Sequence, residues 1–156
     1  MLTAAILLVH LVAFAAYLGA GFGQLQMMKL SARPGTAPAT RDAYERIAAS
    51  VITKIELPAI FAAMASGVVF VTQSPALMKQ GWLHGKLLCV LLLAVLSHVE
   101  MFNAREIVRE RAASAAGEAG ADEEIAKLKA RHAVLGGIGS LLVVVLLIMV
   151  TFVRLK

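Results

Sequence analysis

The chain has 156 residues, of which 60% are hydrophobic and only 16% are charged. Its mean hydropathy of +0.80 excludes an ordinary soluble domain and predicts an integral membrane protein. The formal net charge is +5, but the basic residues lie between apolar segments, so membrane topology explains them and no nucleic-acid partner is needed.

Four apolar segments predict four transmembrane helices, over about residues 2–27, 56–78, 82–104 and 133–154. About 20 helical residues cross a hydrocarbon core of about 30 Å. The third segment reaches that length only if an ionisable side chain, Lys86 or Glu100, is immersed. We therefore expect an all-α membrane protein, a single domain of residues 1–156 built as a four-transmembrane-helix bundle in contact with the lipid bilayer.

The first segment is predicted to stay in the protein as a membrane helix. It lacks the positively charged start of a signal peptide, is longer than the apolar core of one, and carries His10 within it. It is therefore counted as span one and not as a cleaved leader.

The orientation follows from the distribution of Lys and Arg. Eleven of the fifteen lie in two loops of about residues 28–55 and 105–132, whereas the opposite side carries only Lys79, Arg154 and Lys156. The positive-inside rule places both longer loops in the cytoplasm and both termini on the outer side of a bacterial-type inner membrane.

Both cytoplasmic loops contain helix signals. In the first, Pro and Gly turn residues precede Thr40, the predicted N-cap of a short amphipathic helix that leads into span two. The second is rich in Ala, Glu, Lys and Arg and is interrupted by Gly117 and Gly120. This pattern predicts two helix extensions joined by a break.

Ionisable side chains inside the spans are the candidate functional residues, because they are costly in lipid and tend to face protein or water. At 100° per residue, His84 and His98 share one stripe of span three. Lys86 and Glu100 share a second stripe, about 200° away. In the predicted orientation His84 and Lys86 lie near the outer end, at a depth that His10 of span one can reach. We therefore expect a ligand site between His10 and the outer end of span three.

A second polar cluster is predicted near the cytoplasmic ends of the spans and is interpreted as structural. Within it, Lys54 and Glu56 are interpreted as a helix-end ion pair. The candidate members are Lys54, Glu56, His98, Glu100, Asn103, Arg131 and His132.

Three stretches of the chain are similar to those of one known family. They are His10 with Tyr17 and the following LGAG, LPAIFAAMASGVVF at 57–70, and GWLHGKLLCVLLLAVLSH at 81–98. They resemble the HemJ-type protoporphyrinogen oxidases, and related four-helix families, including the CopD-like copper resistance proteins, share the general pattern. Where the HemJ family usually has an arginine near the end of span one, this chain has Gln24 and Gln26.

The resemblance implies a small bundle that binds haem b and oxidises protoporphyrinogen IX to protoporphyrin IX. His10 and Lys86 match the family's essential histidine and lysine, so the resemblance makes them the candidate catalytic residues. His10 would be an axial ligand of the haem iron, and Lys86 a second ligand or a contact of a propionate. His84 and Tyr17 are further candidate cofactor-binding residues.

Three functions are compatible with the sequence. The first is a haem b-binding oxidoreductase, with haem between spans one and three, that takes electrons from a porphyrin substrate and passes them to a quinone. The second is a non-enzymatic accessory or assembly subunit of a homo-oligomer or a larger membrane complex. The third is a CopD-like copper-handling protein that binds its metal through His10 or methionine side chains.

Overall fold

A computed structural model describes residues 2–153 and shows a bundle of long helices, without a β-strand in that range. The helices are α1 (Leu2–Ser31), α2 (Pro38–Val51), α3 (Leu57–Gln73), α4 (Gly81–Ala115) and α5 (Ala121–Ile148). A π-helical turn, Ile52–Glu56, joins α2 to α3. A 3-10 turn, Pro75–Lys79, precedes α4, and a second π-helical turn, Met149–Val153, follows α5.

Four helices are long and apolar enough to cross a membrane, namely Thr3–Ser31, Pro38–Gln73, Gly81–Ala115 and Ala121–Phe152. The predicted all-α architecture with four spans is therefore confirmed. Large apolar side chains such as Leu8, Val12, Phe22 and Leu141 are exposed on the outside of the bundle, where lipid tails are an equally apolar environment. The orientation with both termini outside stays a prediction, and the predicted end of span four at residue 154 lies outside the described residues.

α2, the π-helical turn and α3 form one continuous helix that contains the predicted span two. Pro58 explains the change, because it has no N–H to donate to the carbonyl of Lys54 and its ring would crowd that carbonyl. The N–H of Leu57 instead bonds to the carbonyl of Ile52, five residues earlier. Such turns inside helices are frequent at functional sites, and this one ends with Glu56, which is buried in the bundle.

The regions predicted as cytoplasmic loops are largely helical. α1 continues to Ser31, and α4 continues to Ala115 before the chain turns into α5. The turn contains Gly117 and Gly120 with φ of 83° and 86°, values in the left-handed region that favour glycine. The predicted pair of helix extensions with a break at these glycines is thus seen in the structure.

The predicted N-cap at Thr40 is wrong. The helix begins two residues earlier, at Pro38, and Ala37 occupies the cap position without a side-chain hydrogen bond. Proline favours this start because its fixed φ suits the first helical turn, where its missing N–H is not needed.

α1 and α4 lie diagonally across the bundle. α1 packs along α2 and α3, α4 packs along α5 and α2, and no Cα atoms of α1 and α4 approach within 8 Å among residues 2–153. Two apolar clusters fill the interior, one around Ile52 and Ile107 and the other around Ile60 and Leu93. Polar side chains of α1 and α4 meet across this diagonal, as described below.

A charged clamp ties α2 to α4 and α5 outside the predicted spans. The carboxylate of the fully buried Glu45 accepts hydrogen bonds from Arg111, at 2.9 and 3.0 Å, and its Oε1 lies 2.6 Å from Nζ of Lys129. Burial by itself acts to raise the pKa of Glu45, but the two cations outweigh it and hold the pKa below its usual value. We call Glu45, Arg111 and Lys129 the Glu45 clamp.

Candidate functional site

His10 on α1 is fixed to α3 by hydrogen bonds. Its Nδ1 lies 2.9 Å from the carbonyl oxygen of Ala63 and 2.9 Å from Oγ of Ser66. Because a carbonyl oxygen only accepts, Nδ1 carries the ring proton and the free lone pair is on Nε2. Within residues 2–153 no hydrogen bond reaches Nε2. Metal-ligating histidines commonly adopt this arrangement, in which one nitrogen donates to a carbonyl and the other is left for the metal.

Lys86 on α4 lies in the same region of the bundle. Its side chain is half-buried, and its charge acts on the imidazole of His10. Phe70 of α3 also borders His10, with its ring edge-on and the two ring centroids 6.1 Å apart. The structure therefore places Lys86 of α4 within electrostatic range of His10 of α1.

His84 is not brought to this pair. It is exposed, and because two residues turn a helix by about 200°, it lies on the side of α4 opposite to Lys86. His98 shares the stripe of His84, is half-buried and packs edge-on against Phe61, with the ring centroids 5.5 Å apart. Within residues 2–153, its Nδ1 bonds only to the carbonyl of Ala94 in its own helix.

Tyr17 lies two turns along α1 from His10 and belongs to a deeper network. Its hydroxyl is 3.4 Å from Oγ of Ser97 on α4, and Ser97 donates to Oε1 of Glu56 at 2.8 Å. Because the proton of Ser97 is directed to Glu56, Tyr17 is the donor in its bond to Ser97. The role predicted for Tyr17 in cofactor binding stays a prediction. In the structure its hydroxyl is bonded to Ser97 in the interior of the bundle.

Two carboxyl groups lie in the interior beside this network. Glu56 is 1% exposed and Glu100 is 5% exposed, and they are close enough for the charge of one to act on the other. Oε2 of Glu56 and Oε1 of Glu100 have no hydrogen-bond partner among the residues that the structure describes. Among residues 2–153, neither carboxyl group forms an ion pair. We call Glu56 and Glu100 the carboxyl pair.

The predicted ion pair between Lys54 and Glu56 is wrong. Lys54 is exposed, whereas Glu56 is buried and bonded to Ser97. Side chains two positions apart point to nearly opposite sides of a helix, so the two cannot share one face. The other predicted members of the second cluster also differ in burial. Asn103 and His132 are buried, and Arg131 is exposed.

Gln24 is an interior residue that sequence reasoning missed. It is buried on α1, and its Oε1 lies 2.7 Å from Nε2 of His132, which links α1 to α5. The signal for it is a seven-residue repeat of polar residues, which drifts by only about 20° per step around a helix. The residues of this stripe are His10, Tyr17, Gln24 and Ser31, and the last three are buried.

A metal centre built from side chains alone was another alternative. Among residues 2–153, no group of three or more His, Cys, Asp or Glu side chains is placed to hold a metal ion. The single cysteine, Cys89, is buried in the apolar cluster around Ile60 and Leu93.

The family model described as "Predicted integral membrane protein (DUF2269)" matches residues 4–152, almost the whole chain. The chain belongs to this family. It is accordingly an integral membrane protein, in agreement with the four apolar helices. No curated protein and no solved structure matches the chain significantly. The resemblances to the HemJ-type and CopD-like proteins remain hypotheses, because the description of the DUF2269 family names neither.

Proposed function

We propose that this DUF2269 protein is a haem b-binding membrane oxidoreductase whose haem iron is held by His10. The observation that carries the proposal is the orientation of the imidazole. Nδ1 donates to the carbonyl of Ala63, which leaves the lone pair of Nε2 for the iron. The similarity of residues 81–98 and of the stretch from His10 to Tyr17 to HemJ-type oxidases supports the same cofactor.

One charged side chain near His10 suits a haem. Lys86 supplies a positive charge near His10, and its ammonium group would suit a haem propionate; to be a second ligand of the iron it would have to lose its proton, because an ammonium group has no lone pair. Haem would supply a one-electron redox centre, and the protein's part is to orient the imidazole and to balance the propionate charge.

The proposed substrate is a porphyrinogen such as protoporphyrinogen IX, and the proposed electron acceptor is a membrane quinone. His10 and Lys86 are the proposed catalytic residues, because the Nε2 lone pair of His10 is available and the charge of Lys86 acts on its imidazole. His84 is exposed in the first turn of α4, on the side of the helix opposite to Lys86. Any contact that it makes with haem or substrate would come from outside the bundle.

The test is the absorption spectrum of the full chain purified in mild detergent, oxidised and then reduced with dithionite. We expect a Soret band and reduced α and β bands that disappear in His10→Ala. His98→Ala is the matched control, because His98 is also half-buried in a span and also protonated at Nδ1, but bonds only within its own helix. The proposal is wrong if the wild-type protein stays colourless after haem is added, or if His98→Ala loses the bands and His10→Ala keeps them.

Lys86→Ala separates haem binding from the reaction. In this variant we expect haem to be retained in part and the oxidation of protoporphyrinogen IX to fall about 10–100-fold, as is typical when a group beside a metal ligand is removed. If the wild-type protein binds haem but oxidises no porphyrinogen, haem binding is supported and the proposed substrate is rejected. That result would then favour the accessory-subunit alternative.

A further inference from the structure

We propose that Glu56 and Glu100 form a proton-binding site inside the bundle, where the two carboxyl groups together hold at least one proton at neutral pH. The site is separate from His10 and does not depend on haem. It assigns a role to the carboxyl pair, which the proposed oxidoreductase function leaves unexplained.

The first argument is a contrast between buried carboxyl groups in the same chain. Glu45 is 0% exposed and is met by Arg111 at 2.9 Å and Lys129 at 2.6 Å, so its charge is balanced. Glu56 and Glu100 are almost as deeply buried, but no cation forms an ion pair with either in the described part of the chain. Two unbalanced negative charges in an apolar interior are far more costly than a pair in which at least one carboxyl group is protonated.

The second argument is the set of hydrogen bonds. Within the described part of the chain, Glu56 accepts one hydrogen bond, from Ser97, at Oε1, whereas Oε2 of Glu56 and Oε1 of Glu100 have no partner. A proton on either oxygen removes a negative charge that no donor stabilises and makes that carboxyl group a donor. An ionised pair would leave both oxygens unsatisfied.

The groups that face the pair do not replace the proton. Tyr17 of α1 reaches Glu56 through Ser97 and is itself uncharged, and α3 contributes no ionisable side chain. His132 of α5 is bonded to Gln24. His98 of α4 packs against Phe61, and so its imidazole is directed to a different neighbour.

A metal cation fits the pair less well than a proton. Hard cations such as Ca²⁺ take six to eight oxygen ligands, and Mg²⁺ requires an octahedral set. The carboxyl pair offers two unpartnered oxygens, and no group of three metal-ligating side chains is found among residues 2–153. Ionisable groups inside membrane spans often serve as proton relays, and the bonds from Tyr17 through Ser97 to Glu56 give this proton a path along the bundle.

The test is the infrared spectrum of the full chain as purified, at neutral pH, in H2O and in D2O. A protonated carboxyl group has a C=O stretch that is separate from the carboxylate bands and shifts on deuteration. We expect this band in the wild-type protein and its loss in the double variant Glu56→Gln with Glu100→Gln. Glu45→Gln is the matched control, because Glu45 is equally buried but charged, so the band should remain.

Two results would overturn the proposal. One is a wild-type spectrum without the band, or with a band that the double variant retains. The other is loss of the band when Na⁺, K⁺ or Mg²⁺ is added, which would identify a metal-cation site. Because the measurement needs no haem, a colourless protein that shows the band would reject the proposed oxidoreductase and keep the proton site.

Thermal unfolding of Glu100→Gln provides a second measurement in case the double variant does not fold. Glutamine resembles protonated glutamic acid in shape and charge, so we expect the same midpoint as wild type at neutral pH. At alkaline pH the variant should become the more stable of the two, because both carboxyl groups of the wild-type pair can ionise, whereas the variant keeps only that of Glu56. A variant much less stable than wild type at neutral pH would show that the ionised form is the native one.

Discussion

Ser97 and Gln24 show how single polar residues hold helices together in this bundle. Ser97 of α4 donates to Glu56, and Gln24 of α1 accepts from His132 of α5. Each bond joins groups from different segments of the chain in an interior from which water is largely excluded. Leaving one buried partner unsatisfied costs about 1–3 kcal/mol, so these bonds select one arrangement of the helices.

Ser97→Ala tests this directly. The substitution removes the only hydrogen-bond donor to Glu56 in the described structure and also the partner of the Tyr17 hydroxyl. We expect the free energy of unfolding in detergent to fall by about 1–3 kcal/mol. Ser140→Ala is the control, because the Ser140 hydroxyl bonds only to the carbonyl of Gly136 in its own helix. Equal stability of the two variants would contradict the structural role of Ser97.

The sequence predicted individual residues well where a charge interrupts an apolar segment. Glu100 stands out because it is an ionisable group inside a predicted span, and His132 because it lies at the edge of span four. An uncharged amide such as Gln24 gives no comparable signal. For Lys54 and Glu56, closeness in sequence suggests an ion pair, but the angle between their side chains excludes it.

α5 approaches α1 closely at Gly136. A Cβ atom there would overlap the side chain of Leu25, whereas one at Gly137 would have no atom within 4 Å. The two adjacent glycines therefore have different roles, although both lie in the same helix. Small residues at such points let helix backbones approach each other in membranes.

Gly136→Ala should destabilise the protein by about 1–3 kcal/mol, because Leu25 must leave its position. Gly137→Ala should be neutral or stabilising by up to about 1 kcal/mol, since alanine favours the helix and meets nothing. Thermal unfolding of both variants, followed by circular dichroism, measures the difference. If Gly137→Ala were the more harmful of the two, the packing of α1 against α5 would be wrong.

The Glu45 clamp predicts how stability depends on pH. The cations lower the pKa of Glu45 in the folded protein from the ordinary 4.5, so its ionised form stabilises the fold above that pH. This contribution to the free energy of unfolding is lost as the pH falls through the lowered pKa. The stability of Glu45→Gln should lack this dependence on acid pH. At neutral pH the variant should lose about 3–5 kcal/mol, because Arg111 and Lys129 lose their buried partner.

Asp42→Asn is the control for the clamp. Asp42 lies on the same helix and pairs with Arg46, but both side chains are partly exposed, and such surface pairs contribute about 0–1 kcal/mol. A loss of stability in Asp42→Asn as large as that in Glu45→Gln would show that burial of Glu45 does not decide the effect.

The complete bundle places polar groups inside and large apolar side chains outside. The number of spans could be predicted from the sequence, because four long apolar segments admit few other arrangements in a membrane. The helical form of the loops could be predicted only in part. The Glu45 clamp holds these helices together, and its residues Glu45, Arg111 and Lys129 come from distant positions in the chain. The diagonal relation of α1 and α4 depends on side-chain packing and carries no comparable local signal.

The predicted orientation can be tested with single cysteines in the two kinds of turn. Cys89 is buried and should not react with a membrane-impermeant thiol reagent. We expect Glu118→Cys, between α4 and α5, to react only from the cytoplasmic side, and Ala76→Cys, before α4, only from the outer side. Both positions are exposed. The reverse labelling pattern would place both termini in the cytoplasm.

Restoration of haem binding by free imidazole tests most directly whether Nε2 of His10 is the iron ligand. His10→Gly removes the ring and leaves the carbonyl of Ala63 available to a small imidazole. We predict that the purified variant binds little haem, and that added imidazole restores the Soret band and the reduced α and β bands. A His10→Gly protein that holds as much haem as wild type without imidazole, or one that imidazole does not change, would contradict the assignment of His10.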